Sequence, residues 1–63
     1  MNVGVRIRFF RGVREVSQRD LAEGAKMRPS QLCRYERGKT RPTLRVLGRI
    51  ARALNVPISE FFS

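Results

Sequence analysis

Histidine is absent from this chain, and cysteine occurs once, at Cys33. Four Cys or His ligands cannot be assembled, so a structural zinc site is excluded. A lone cysteine closes no internal disulfide, which argues against a stapled secreted scaffold and fits a reducing cytosol. Acids are scarce: 5 Asp and Glu stand against 14 Lys and Arg, a net charge of +9 over 63 residues. No apolar run approaches the roughly 18 residues of a membrane-spanning helix, and no signal-peptide core precedes a small-residue cleavage site. The expectation is a soluble, cytoplasmic protein with no membrane partner, no metal, no cofactor and no small-molecule ligand. One domain, residues 1–63, is the most such a length allows, and its core must be thin. There is little room for a catalytic cleft. With no histidine, and no base beside Cys33 in sequence, no catalytic residue is assigned and an enzyme is not expected.

What the chain does have is helical periodicity. Val3, Ile7 and Phe10 fall on one face of a helix from about residue 2 to about residue 14. Val5, Phe9 and Val13 form a second stripe on another face, more than one core needs. Ser17 and Asp20 have the spacing of an N-terminal cap, and Leu21, Ala22 and Ala25 give the next helix its inward face. Lys26 and Met27 break the pattern. Pro29 suits the first turn of a new helix of about residues 29–37, where its missing N–H would be unpaired anyway. Leu32 and Tyr35 face inward, and Gly38 is a natural left-handed stop. After the loop 39–42, Thr43 caps a helix of about residues 44–54, with Leu44, Leu47, Ile50, Ala51 and Leu54 as its apolar repeat. Asn55 can stop it, and a last short helix runs from near Pro57 to Phe62. No segment alternates with the period of a strand. The fold class is all-α, a compact bundle of five short helices.

The order within residues 17–38 is that of a helix-turn-helix, which sets its second helix into the major groove of DNA. From Gly24 to Ser59 there are nine Lys and Arg and one acid, Glu36. Glu36 sits one position off the Leu32/Tyr35 face, and a partly buried carboxylate needs a partner. Arg11 can supply a bidentate one, tying the first helix to the third. The alternative is that Glu36 is a solvated surface acid. With Leu32 and Tyr35 inside, Ser30, Cys33, Arg34 and Arg37 point outward, flanked by Arg28 and Gln31. These residue types suit base edges, Arg for guanine and Gln for adenine. They would also serve as an ordinary polar surface, but a surface meant only for water mixes signs. Gln18, in the first turn of the second helix, can hold a phosphate oxygen, or it is a plain helix-start residue. Lys39, Arg41 and Arg45 lie where another phosphate strand could pass, or form a solvated charge run.

Ser17-Gln18, Leu21-Ala22, Leu32, Arg34-Tyr35-Glu36-Arg37-Gly38 and Pro42 resemble the XRE family, the phage-repressor/Cro class of helix-turn-helix proteins. The resemblance extends over nearly the whole chain, including Ile7, Arg11 and Leu54. It implies a five-helix, lambda-repressor-like bundle that binds DNA, usually as a homodimer. It further implies base contacts from Arg28, Ser30, Gln31 and Arg34, and phosphate contact from Gln18. Arg37, Lys39, Arg41 and Arg45 are assigned to phosphate as well, and Arg11 with Glu36 to a buried pair. Several positions depart from the family. Lys26 stands where glycine is usual in the turn, so a left-handed lysine carries strain. Arg28 stands where Ser or Thr usually caps the third helix. Glu15 stands near the usual glycine ending the first helix, while Gly12 falls inside it and Gly24 inside the second.

Val56, Pro57, Ile58, Phe61 and Phe62 make an apolar tail. Phe61 falls where the family has a core leucine, which leaves Phe62 without an interior place. Exposed apolar surface of this kind often marks an interface. A two-fold dimer is expected through Val56, Ile58 and Phe62, with the Val5/Phe9 stripe as a second candidate surface. Alternatively these residues pack together and close the core. The functional expectation is a homodimeric, sequence-specific regulator on a palindromic double-stranded DNA operator. An antitoxin-type module that holds a partner protein and regulates its own operon is the alternative. A cationic membrane peptide is disfavoured, because the arginines are spread over several capped helices.

Overall fold

Asn2 opens the first helix by accepting a hydrogen bond from the Val5 amide at 2.9 Å. The computed structural model describes residues 2–62. They form helices α1 (Val3–Val13), α2 (Gln18–Gly24), α3 (Pro29–Glu36) and α4 (Leu44–Leu54), then a closing 3₁₀ turn over Ile58–Phe61. Among the described residues there is no strand. The all-α expectation holds, with one correction. The fifth piece is a single 3₁₀ turn, closed by i→i+3 bonds from the Glu60 amide to the Pro57 carbonyl at 3.0 Å and from the Phe62 amide to the Ser59 carbonyl at 3.1 Å. Ser17 caps α2 through the Asp20 amide at 3.0 Å, and Thr43 caps α4 through the Val46 amide at 3.2 Å. Pro29 takes the first position of α3, where its missing N–H costs nothing, but Arg28 before it makes no side-chain cap.

All four helices stop in the same way. A residue in the left-handed region, Glu15, Lys26, Gly38 or Asn55, follows each last turn. The next amide then reaches back five residues: Val16 to the Arg11 carbonyl, Met27 to Ala22, Lys39 to Arg34 and Val56 to Ala51, all at 2.9–3.0 Å. This Schellman arrangement satisfies carbonyls that a helix end otherwise leaves open. Only one of the four stops uses glycine, at φ 75°. Lys26, at φ 59°, takes the left-handed conformation expected of it.

One core joins the elements. Ile7, Leu21, Ala22, Ala25, Leu32, Tyr35, Leu47, Ile50, Ala51, Leu54 and Phe61 are buried together. Phe10 stands edge-on to Phe61 with ring centroids 5.6 Å apart, which seats the closing turn against α1. Leu44 is a correction: it keeps the period of the α4 stripe but is 68% exposed. It belongs to the first turn of α4, ahead of the point where that helix meets the core at Leu47. Gly4 is buried where α1 meets the end of α3. A Cβ there would run into the Tyr35 carbonyl oxygen and come within 2.8 Å of the Glu36 carbonyl oxygen. The glycine therefore sets how closely α1 can approach the helix that carries the site.

Candidate nucleic-acid interface

The lone acid of the basic stretch points inward. The Glu36 side chain is 3% exposed, and it meets the Arg11 guanidinium in a two-point contact. Arg11 Nε donates to Glu36 Oε2 at 3.0 Å, and Arg11 Nη2 donates to Oε1 at 3.1 Å. The third Arg11 nitrogen, Nη1, donates to the Val16 carbonyl at 3.3 Å. Gln18 Nε2 donates a third bond to the carboxylate, at 3.2 Å to Oε1. Side chains from α1, the start of α2 and the end of α3 thus converge on one carboxylate. A bidentate, charge-assisted pair of this kind has geometry as well as energy in its favour. Its effect is to fix the last turn of α3 relative to α1 and α2.

Burying Glu36 takes the one acid off this surface. Between residues 24 and 59 no other acid exists, so the exposed face of α3, the following loop and the start of α4 carries cations and no acid. Arg28, Ser30, Gln31 and Arg34 are all exposed along α3 and its cap. Gln31 is held by its neighbour one turn on: its Nε2 donates to the Tyr35 hydroxyl at 3.0 Å. Arg37, Lys39, Arg41 and Arg45 are exposed at the C-cap of α3, in the loop and in the first turn of α4. Gln18 is half-buried because its amide is shared with Glu36. Cys33 is half-buried too, and lines a polar hollow with Arg8, Arg11, Gln18, Glu36 and Arg37.

Three supporting contacts were not legible in the sequence. Arg49 of α4 donates from Nε to the Ala25 carbonyl at 3.0 Å, next to the left-handed Lys26. It thereby pins the turn between α2 and α3, where the usual glycine and cap are missing. Arg14 donates to the Leu54 carbonyl at 2.9 Å and the Asn55 carbonyl at 3.0 Å. Both arginines place positive charge on helix C-terminal carbonyls, where the helix dipole favours it. The third is the bond from Gln18 to Glu36. A sequence signal existed only for the stretches that needed help, namely a turn without glycine and a helix without a side-chain cap.

At the dimer candidates, Val56 and Ile58 are half-buried against the core, and Phe62 is 61% exposed. Phe62 shares a groove with Val3, Arg41, Pro42, Leu44 and Leu47. Among the described residues, no group of three or more His, Cys, Asp and Glu could hold a metal, and no helix is long and apolar enough to cross a membrane.

A helix-turn-helix family model matches residues 7–61. An uncharacterized HTH-type transcriptional regulator of Sinorhizobium medicae is 39% identical over 62 residues, 98% of this chain and 45% of that protein. The immunity repressor protein of Bacillus phage phi105 is 39% identical over 59 residues, 94% of this chain and 41% of that one. The chain therefore spans under half the length of these relatives. Among solved structures, the restriction-modification controller protein C.AhdI from Aeromonas hydrophila superposes with a TM-score of 0.92 at 30% identity. That match covers 95% of this chain and 91% of the controller.

Proposed function

Because this chain belongs to the helix-turn-helix family, of the XRE type, we propose that it regulates transcription by binding a specific double-stranded DNA site with α3 in the major groove. Arg28, Ser30, Gln31 and Arg34 read base edges, while Gln18, Arg37, Lys39, Arg41 and Arg45 hold the flanking phosphates. The observation that carries this reading is the buried Glu36. Taking the one acid off the α3 face leaves a cationic surface, and the same carboxylate holds α3 through Arg11 and Gln18. Arginine can bind guanine O6 and N7 bidentately, and phosphate contacts fix register without reading sequence.

The protein binds as a two-fold dimer through the closing turn and the start of α4, with Phe62 near the centre of the interface and Val56 and Ile58 behind it. Support comes from two large apolar side chains left in one groove, Phe62 at 61% and Leu44 at 68% exposure. Two α3 helices then meet half-sites about 34 Å apart on a palindromic operator.

Selection of bound sequences from a random DNA pool tests the whole reading, and Arg34→Ala tests the base face. The expected result is a two-fold symmetric consensus for the parent. The variant should lose preference at one base pair per half-site, a cost of about 1–3 kcal/mol against the correct base. If Arg34→Ala kept the parent's consensus and preferences, α3 would not be reading bases through that residue.

A further inference from the structure

The outer face of α1 carries an apolar stripe that nothing in the fold covers. Val5, Phe9 and Val13 recur at every fourth residue and are 45%, 57% and 57% exposed. They are offset by two residues from Ile7 and Arg11, about 200° around the helix axis. Ile7 is in the core and Arg11 points at Glu36, so the stripe faces away from α3. Beside it, a Cβ on Gly12 would meet nothing within 4 Å. Val5, Arg8, Phe9, Arg11 and Gly12 line a shallow groove of about 370 Å³. The Phe9 ring stands edge-on to Phe10 at 5.1 Å, which itself packs on Phe61, so the ring is positioned from the core outward.

Charge selects what fits there. Residues 3–14 include no acid; Arg11 is turned to Glu36 and Arg14 to the Leu54 and Asn55 carbonyls, while Arg8 is exposed in the groove beside Phe9. By helical spacing Arg8 borders the stripe on one side and Arg6 on the other. A second copy laid on this face would set arginine against arginine in a chain already at +9. A helix with apolar side chains at every third or fourth position, edged by carboxylates, complements both the stripe and its rim. We propose that the outer face of α1 docks an acidic amphipathic helix of a partner protein. Its apolar side chains cover Val5, Phe9 and Val13, one of them seats over Gly12, and a carboxylate pairs with Arg8. The proposal is independent of DNA recognition, since the stripe and the outward face of α3 are different surfaces. Partner and DNA can be held at once.

The test uses a synthetic acidic peptide of about four helical turns, with leucines on one face and glutamates along its edges. A control of equal charge has every leucine changed to serine. Titration into the isotope-labelled protein should shift the amides of residues 5–13, and fluorescence anisotropy should give a weaker affinity for the control. Phe9→Ser should weaken the leucine peptide at least about tenfold, as loss of a central aromatic anchor does. Its folding, checked by melting, and its DNA affinity should stay near the parent's, since Phe9 lies on neither the core nor the α3 face. Val5→Ser provides a second, smaller truncation of the same surface. Equal binding of both peptides would reduce the attraction to net charge and overturn the proposal. Indifference to Phe9→Ser would do the same. So would Phe9-dependent self-association in the ultracentrifuge, or Phe9-dependent binding to phosphatidylserine vesicles without peptide binding.

Discussion

At Glu36 a single carboxylate answers three donors. Arg11 contributes two nitrogens and Gln18 one, at 3.0–3.2 Å, and the carboxylate side chain is 3% exposed. Glu36→Gln keeps the shape but removes the charge and turns an NH₂ group toward groups that are themselves donors. The expected cost is about 1–3 kcal/mol. It lies below the figure for a fully buried pair because Arg11 is 24% exposed and keeps some water. In a domain this small each kcal/mol lowers the melting temperature by about 4–8 °C. An unchanged melting temperature would mean that the pair contributes nothing to the fold. Local sequence leaves Glu36 open between a solvated acid and the partner of Arg11, and it is the resemblance to the XRE family that favours the pair. The hand of Gln18 was not legible in either. Nothing in local spacing brings residues 18 and 36 together until α2 and α3 have packed.

At the helix ends, three of the four left-handed stops fall on residues that carry a side chain, Glu15, Lys26 and Asn55. Glu15 and Lys26 hold φ values of 56° and 59°, a conformation that costs an L side chain about 1–2 kcal/mol and glycine little. Glu15→Gly and Lys26→Gly should therefore each stabilise the protein by about 1 kcal/mol, the gain being reduced by glycine's larger entropy loss on folding. Urea denaturation of each variant checks this; a loss of stability in both would show that the two side chains make contacts worth more than the strain. The caps were readable because Ser17 and Thr43 act on residues three positions away, within one segment. Arg49 crossing to the Ala25 carbonyl was not readable, since the contact joins α4 to a turn 24 residues earlier. Leu44 shows the same limit from the other side. Helical spacing gives the face of a residue but not how far along its axis the helix remains covered.

Over the whole molecule, acids are kept off the surface that runs from α3 to the start of α4. The acids other than Glu36 are Glu15, Asp20, Glu23 and Glu60, so the stretch from α3 to the start of α4 is left to cations. Phe62 and Leu44 mark the proposed dimer surface beside it. Phe62→Ser should shift sedimentation toward the monomer at concentrations where the parent dimerises, and a variant that dimerised like the parent would remove this residue from the interface.

Salt dependence then tests how the cations divide their work. Each phosphate neutralised on duplex DNA contributes about −0.9 to the slope of log Kobs against log salt. Arg34 is assigned to a base edge and Lys39, in the loop after α3, to a phosphate. Lys39→Ala should therefore weaken binding to cognate and unrelated duplexes by the same factor, and flatten the slope by about 1 for each bound subunit. Arg34→Ala should leave more of the non-specific affinity and lose discrimination instead. Measuring both variants on both duplexes across a salt series separates the roles. If Lys39→Ala altered base preference and left the slope alone, the loop would be reaching a groove, and the division between α3 as reader and loop as anchor would have to be redrawn.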